Sequence, residues 1–151
     1  GTIVGYAWDI NTEEPHSLIK FDGSNIQWYV WSDNLIENVT ITGPTVTTGH
    51  YHHVAAIKSG NNYYLYLDGE LVATETKTWG AVTFSRNKFS IVAAWSSATP
   101  TLFFDGNIDE VRIWNTARTE AEIQANMYNV MDPASAGLVA YYKFDKCLPK
   151  V

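Results

Sequence analysis

Short runs of β-branched and aromatic residues, separated by Gly, Asn, Asp and Pro, recur along the whole chain. Two sets of side chains alternate within residues 25–31, where the pattern is clearest. The sets are Ile26, Trp28 and Val30, and Gln27, Tyr29 and Trp31. This two-residue period is that of a β-strand, whose successive side chains point to opposite faces. Equivalent runs predict strands at residues 2–10, 17–21, 25–31, 38–42, 51–58, 63–67, 70–75, 88–94, 101–104, 108–114 and 138–144.

One segment departs from the β pattern. Thr119 and Glu122 have the spacing of a capping box, and Ile123 and Met127 form a narrow apolar stripe one turn apart. We therefore predict one short helix near residues 119–128. The spacing of the strands predicts an all-β fold, an antiparallel two-sheet jelly-roll sandwich, because a parallel sheet would need further crossover helices.

Five segments resemble a known family when they are taken in their order and spacing. They are residues 51–55 (Tyr-His-His-Val-Ala), 67–69 (Leu-Asp-Gly), 106–114 (Gly-Asn-Ile-Asp-Glu-Val-Arg-Ile-Trp), 122–123 (Glu-Ile) and 137–144 (Gly-Leu-Val-Ala-Tyr-Tyr-Lys-Phe). From about residue 49 onward, the chain resembles the laminin-G-like domains of the concanavalin A-like lectin/glucanase superfamily. The resemblance implies a concanavalin A-like sandwich. It leaves the function open, because this fold hosts lectins, glycosidases and adhesion modules.

Length and composition indicate a single domain over residues 1–151. The chain is 46% hydrophobic and 17% charged, which suits a core that needs no disulfide staples. Cys147 is the only cysteine, so no intramolecular disulfide is expected. Because the chain begins with Gly1, we expect the domain to be excised from a larger protein.

The net charge and the distribution of basic residues indicate which classes of partner the chain can bind. A net charge of -6, with ten scattered basic residues, argues against a nucleic-acid partner, which would require clustered Lys and Arg. No long apolar run is present, so membrane insertion is not expected.

The resemblance also defines what a glycosidase of this fold would need, namely two carboxylates side by side along one strand. In the nearest stretch, Asn107 occupies the position of the nucleophile, and Val111 or Arg112 that of the acid. Asp109 is alone on its face, and Glu110 shares a side with Arg112, which predicts a structural ion pair. The sequence therefore predicts no catalytic residues and no enzyme.

No cofactor or metal is predicted. Some relatives hold calcium through a carboxylate-rich loop, but the corresponding residues 95–101 contain no Asp or Glu. A calcium site formed by Asp9, Asn11 and Glu13 in the first loop stays open as an alternative.

Three histidines, His50, His52 and His53, are close in sequence. Only His50 and His52 would share a strand face, and neither a cysteine nor a carboxylate close in the sequence completes a tetrahedral zinc set. We expect these histidines to be structural.

Aromatic residues make up 14% of the chain, which suits either a thick core or a sugar-stacking surface. The predicted ligand-binding residues are Trp31 with Asp33 and Asn34, Trp79 and Trp95, because these tryptophans fall at strand ends or in loops. The tryptophans within predicted strands, assigned to the core, are Trp8, Trp28 and Trp114.

We therefore expect a non-catalytic recognition module of an exported or cell-surface protein, with carbohydrate as its ligand. The alternative is a structural or adhesion module that contacts an extracellular protein.

Overall fold

A computed structural model describes residues 1–7, 17–31, 38–78, 88–96 and 99–145. These residues form twelve β-strands and one α-helix. In chain order they are β1 (Thr2–Ala7), β2 (Ser17–Phe21), β3 (Asn25–Trp31), β4 (Asn38–Thr45), β5 (Val54–Ser59), β6 (Asn62–Leu67), β7 (Glu70–Thr76), β8 (Lys88–Ile91), β9 (Ala94–Ser96), β10 (Thr99–Thr101), β11 (Val111–Trp114), α1 (Glu120–Asn126) and β12 (Leu138–Tyr142). All pairings between these strands are antiparallel. The predicted all-β fold with one short helix is confirmed.

The strands form two principal sheets. The larger has five strands in the order β4-β3-β2-β1-β8, and the smaller has three in the order β5-β6-β7. Two further pairs, β9–β10 and β11–β12, complete the strand pairing of the described residues.

The main core lies between the five-stranded and the three-stranded sheet. Alternate residues of β3 and β4 meet two residues of β6 there, and all of them are buried. They are Ile26, Trp28, Val30, Val39, Ile41, Tyr63 and Leu65. The Trp28 and Tyr63 rings are tilted against each other with centroids 5.5 Å apart, a favourable geometry for an aromatic pair.

Helix α1 covers the outer side of the three-stranded sheet. Its predicted capping box is present: the Thr119 backbone N–H donates to Glu122 Oε2 at 2.8 Å, and the Thr119 side chain accepts from the Glu122 N–H. Ile123 is the buried residue of the helix and packs with Ile57 of β5 and Tyr66 of β6.

The predicted strand at residues 51–58 begins only at Val54. Four other predicted strands are shorter, displaced or divided, each at or near a residue with positive φ. The angles are 68° at Val92, 52° at Leu102, 52° at Glu110 and 54° at Phe144. Such values are incompatible with an extended strand. Val92 lies between β8 and β9, and Leu102 directly follows β10. Glu110 directly precedes β11, which therefore begins at Val111, and Phe144 lies two residues after the end of β12.

Candidate functional site

The outward face of β3 carries a pair of stacked aromatic rings. Gln27, Tyr29 and Trp31 point away from the core because they alternate with its buried residues. The rings of Tyr29 and Trp31 are nearly parallel, with an interplanar angle of 16° and centroids 5.6 Å apart. Lys20 of β2 lies opposite Gln27 in the sheet register. We call these four residues the Tyr29–Trp31 platform.

Polar groups surround these rings. The Lys20 ammonium lies 4.4 Å from the centroid of the Tyr29 ring, within the range of a cation–π interaction. The Tyr29 hydroxyl is 3.1 Å from Gln27 Oε1, and Gln27 Nε2 donates to Thr42 Oγ1 at 3.5 Å. The platform therefore combines apolar ring surface with an ammonium group, an amide and a hydroxyl.

Strand β4 continues this face with three exposed polar residues. Each lies opposite one outward residue of β3 in the register. They are Asn38, Thr40 and Thr42. A flat apolar surface beside a few placed polar groups is a general composition of ligand sites.

Of the predicted site residues, Trp31 belongs to the platform. Asp33, Asn34 and Trp79 lie outside the described residues, so the structure does not place them. Trp95 is the middle residue of the three-residue strand β9, opposite Pro100. Its expected place at a strand end or in a loop is therefore wrong, because the positive φ of Val92 starts a new strand just before it.

Sequence reasoning did not assign Lys20, Gln27 or Tyr29 to the site. The alternation within residues 25–31 was the available signal, since it already places Tyr29 and Trp31 on one face. Lys20 could be found only once the register of β2 against β3 was known.

The predicted core tryptophans differ in their surroundings. Trp28 is buried, and its indole N–H donates to Ser17 Oγ at 3.0 Å. Trp114 is half-buried, and the Arg118 guanidinium lies 4.4 Å from its ring centroid. Trp8 lies outside the described residues.

Hydrogen bonds to Asp68 and Thr47 hold His52 and His53 in place. His52 Nδ1 lies 2.8 Å from Asp68 Oδ2, and the His53 backbone N–H donates to Asp68 Oδ1 at 2.8 Å. His52 Nε2 is closer to the Thr47 carbonyl oxygen, at 2.9 Å, than to the Thr47 hydroxyl, at 3.4 Å. Both ring nitrogens of His52 are thus occupied, which disfavours both a zinc site and activation of the Thr47 hydroxyl as a nucleophile.

The structure also contains a cluster of three acidic side chains that the sequence analysis did not predict. Carboxylate oxygens of Asp109, Glu110 and Asp145 lie within 4.8 Å of one another, so the expectation that Asp109 is alone is wrong. Residues 109 and 110 precede β11, and the chain beyond β12 returns Asp145 to them. This is the one group of possible metal ligands found among the described residues. Asp109 and Asp145 are exposed.

Glu110 and Arg112 form the predicted ion pair, at 2.7 Å. Glu110 also accepts a hydrogen bond from the Tyr141 hydroxyl. Burial opposes ionisation of Glu110, but the hydrogen bonds from Tyr141 and Arg112, with nearby positive charge, outweigh it and hold the pKa below its usual range. Arg112 donates further to the carbonyl oxygens of Asn126 at 2.8 Å and Asn129 at 2.6 Å. This network fastens the end of α1 to β11.

A search of the described residues for a helix long and apolar enough to cross a membrane found none.

Comparison with known protein families identifies the superfamily to which the chain belongs. The laminin-G family model for the Concanavalin A-like lectin/glucanases superfamily matches residues 3–124. The chain belongs to this superfamily. A comparison with curated proteins gave no match.

A solved structure with a similar fold is that of a "putative carbohydrate binding protein" from Bacteroides ovatus ATCC 8483. Its sequence is 28% identical to that of the present chain, and the comparison of the two structures gives a TM-score of 0.69. The match covers 95% of this chain but 40% of the Bacteroides ovatus chain. The domain thus corresponds to less than half of that larger protein.

Proposed function

We propose that this domain is a non-catalytic carbohydrate-binding module of an exported or cell-surface protein, and that the Tyr29–Trp31 platform holds the sugar. The stacked pair Tyr29 and Trp31 on the outward face of β3 carries the proposal. Sugar rings present an apolar C–H face that packs on an aromatic ring, while their hydroxyls pair with amides and hydroxyls such as those of Gln27 and Thr42.

The comparisons support this proposal. The superfamily is named for lectins as well as glucanases, and the Bacteroides ovatus protein is named for carbohydrate binding. Asp33, Asn34, Trp79 and Trp95 are further candidates for sugar contacts.

A glycan array with the purified domain would identify a ligand, and calorimetric titration of the soluble sugar would then test the site. Trp31→Ala should weaken binding by about 1–3 kcal/mol, by analogy with aromatic stacking on bases. Tyr128→Ala is the control, because this ring is 80% exposed and lies outside the platform, after α1. Binding that survives Trp31→Ala unchanged would place the sugar elsewhere.

The Trp31→Ala variant also distinguishes sugar binding from the adhesion alternative. If no glycan binds and Trp31→Ala instead weakens capture of an extracellular protein, the domain is an adhesion module.

EDTA should leave sugar binding unchanged, because the platform uses no metal ligand. Release by EDTA would favour a metal-dependent site, for which Asp9, Asn11 and Glu13 or the group around Asp109 are candidates.

A further inference from the structure

The surface around the platform has an unusual distribution of charge. Strands β2, β3 and β4 contain one charged side chain, that of Lys20. The chain as a whole has 16 acidic and ten basic residues. Acidic residues thus outnumber basic ones overall but are absent from these three strands. The charge that the strands offer to a ligand on this face is positive.

Lys20 is already positioned beside the aromatic pair. Its ammonium lies 4.4 Å from the Tyr29 ring centroid, and the ring attracts the cation electrostatically. A lysine side chain has much conformational freedom to lose when it binds a ligand. Contact with Tyr29 restricts that freedom beforehand, so less remains to be lost on binding.

Asp22 is the carboxylate that the Lys20 charge reaches: hydrogen bonds from the backbone N–H groups of Asn25 and Ser24 lower the pKa of Asp22, and the charge of Lys20 adds to this. None of the ion pairs formed among the described residues involves Lys20. Asp22, the carboxylate nearest in sequence, accepts instead from the backbone N–H groups of Ser24 at 2.9 Å and Asn25 at 2.7 Å. The charge of Lys20 therefore remains available to a ligand.

We propose that the platform selects an acidic sugar, whose anionic group, a carboxylate or a sulfate, pairs with Lys20 while its apolar ring face packs on Trp31. This inference rests on the proposed function and adds the chemical class of the ligand. Asn38, Thr40 and Thr42 supply uncharged partners for the remaining hydroxyls.

The test is a calorimetric titration at low ionic strength with three oligosaccharides of equal length, one of hexuronic acid, one of sulfated hexose and one of neutral hexose. At least one acidic ligand should bind roughly tenfold more tightly than the neutral one, as expected for a hydrogen bond to a charged group. Comparing the two acidic ligands tells carboxylate from sulfate. The preference should shrink as salt is added, because ions screen exposed charges.

Variants assign the preference to one residue. Lys20→Gln should remove it, and Lys20→Arg should keep it. Lys58→Gln makes the same change of charge in β5 of the other sheet and should have no effect. Equal affinity for acidic and neutral sugars, or an acidic preference that survives Lys20→Gln, would overturn this inference while leaving a Trp31-dependent sugar site intact. Sugar binding that does not depend on Trp31 would overturn the proposed function itself.

Discussion

One carboxylate, that of Asp68, fixes two consecutive residues ahead of β5: Oδ2 lies 2.8 Å from His52 Nδ1, and Oδ1 accepts from the His53 backbone N–H. The opposite nitrogen of the His52 ring lies 2.9 Å from the Thr47 carbonyl oxygen. A carboxylate and a carbonyl oxygen can only accept. The protonated imidazole alone can donate to both at once.

Stability should consequently depend on the charge of His52. The hydrogen bond to Asp68, opposed by partial burial and supported by the Thr47 carbonyl, raises the pKa of His52 above 6.5. A raised folded-state pKa gives stability that is complete below pH 6.5 and is lost as pH rises through the folded-state pKa. For this exposed pair the loss should be about 0.2–1 kcal/mol. Urea unfolding between pH 6 and 9 measures it, and the loss should vanish in His52→Gln.

His53 should act in the opposite direction. Burial, with the nearby charge of Arg112, lowers the pKa of His53 below 6.5. Its contribution to stability should therefore be lost as pH falls below 6.5. NMR titration of the two ring signals should give a higher pKa for His52 than for His53. In Asp68→Asn the His52 value should fall, and an unchanged value would contradict the assigned hydrogen bond.

The two hairpin turns of the three-stranded sheet should respond differently to substitution. Asp68 and Gly69 have φ of 51° and 85°, and a type I′ turn requires positive φ at both of its central residues. The Ser59–Asn62 connection is also a two-residue turn, with Gly60 at φ 57°, so the two turns are equally short.

Packing, and not turn length, separates these glycines. A Cβ at Gly69 would lie 3.0 Å from Gln124 Cγ and 3.1 Å from Met127 Sδ, whereas one at Gly60 would meet nothing within 4 Å. Each alanine substitution should cost about 1–2 kcal/mol for the positive φ. Gly69→Ala should cost about 1 kcal/mol more, because the Gln124 and Met127 side chains must give way to the added methyl group. Thermal unfolding of the matched pair checks this, and equal losses would mean that α1 does not pack on this turn.

Arg112 should be the least replaceable cation among the described residues. Its side chain is 9% exposed and donates to Glu110, Asn126 and Asn129. Arg112→Met would leave the partly buried Glu110 carboxylate without its cation and two carbonyl oxygens without this donor, which should cost about 3 kcal/mol. Arg118→Met is the control, because the Arg118 side chain is more exposed, at 24%, and pairs with Glu122 at 2.7 Å on the helix surface, so its loss should cost under about 1 kcal/mol. Similar losses in denaturant unfolding would refute the role of Arg112.

The sequence pattern predicted the fold well wherever side-chain period and local hydrogen bonds decide the structure. The alternation in residues 25–31 matches β3, and the capping box of Thr119 and Glu122 starts α1. It failed at Leu102 and Glu110, because a positive φ at a residue other than glycine is imposed by tertiary contacts. Nothing in a strand-like run of residues marks such a position.

The candidate site was predicted only in part, for a similar reason. Trp31 could be identified as a strand-end aromatic residue, but its partners depend on register. Lys20 is brought beside Tyr29 by the pairing of β2 with β3. Asp145 is brought to Asp109 by the return of the chain through β12. A linear pattern indicates which residues share one strand face but not which strands become neighbours.

The group of Asp109, Glu110 and Asp145 makes hydrolysis a question for experiment. Retaining glycosidases hold two carboxyl groups about 5–5.5 Å apart, and one must stay protonated to act as the acid. Glu110 is unsuited to that role, since its hydrogen bonds from Tyr141 and Arg112 keep its pKa low. Asp109 and Asp145 are both exposed, outside any closed cleft formed by the strands that precede them. We therefore expect the rigorously purified domain to release no reducing sugar from a β-glucan. Turnover that is abolished by both Asp109→Ala and Asp145→Ala, and kept in Trp31→Ala, would show that Asp109 and Asp145 form a catalytic pair.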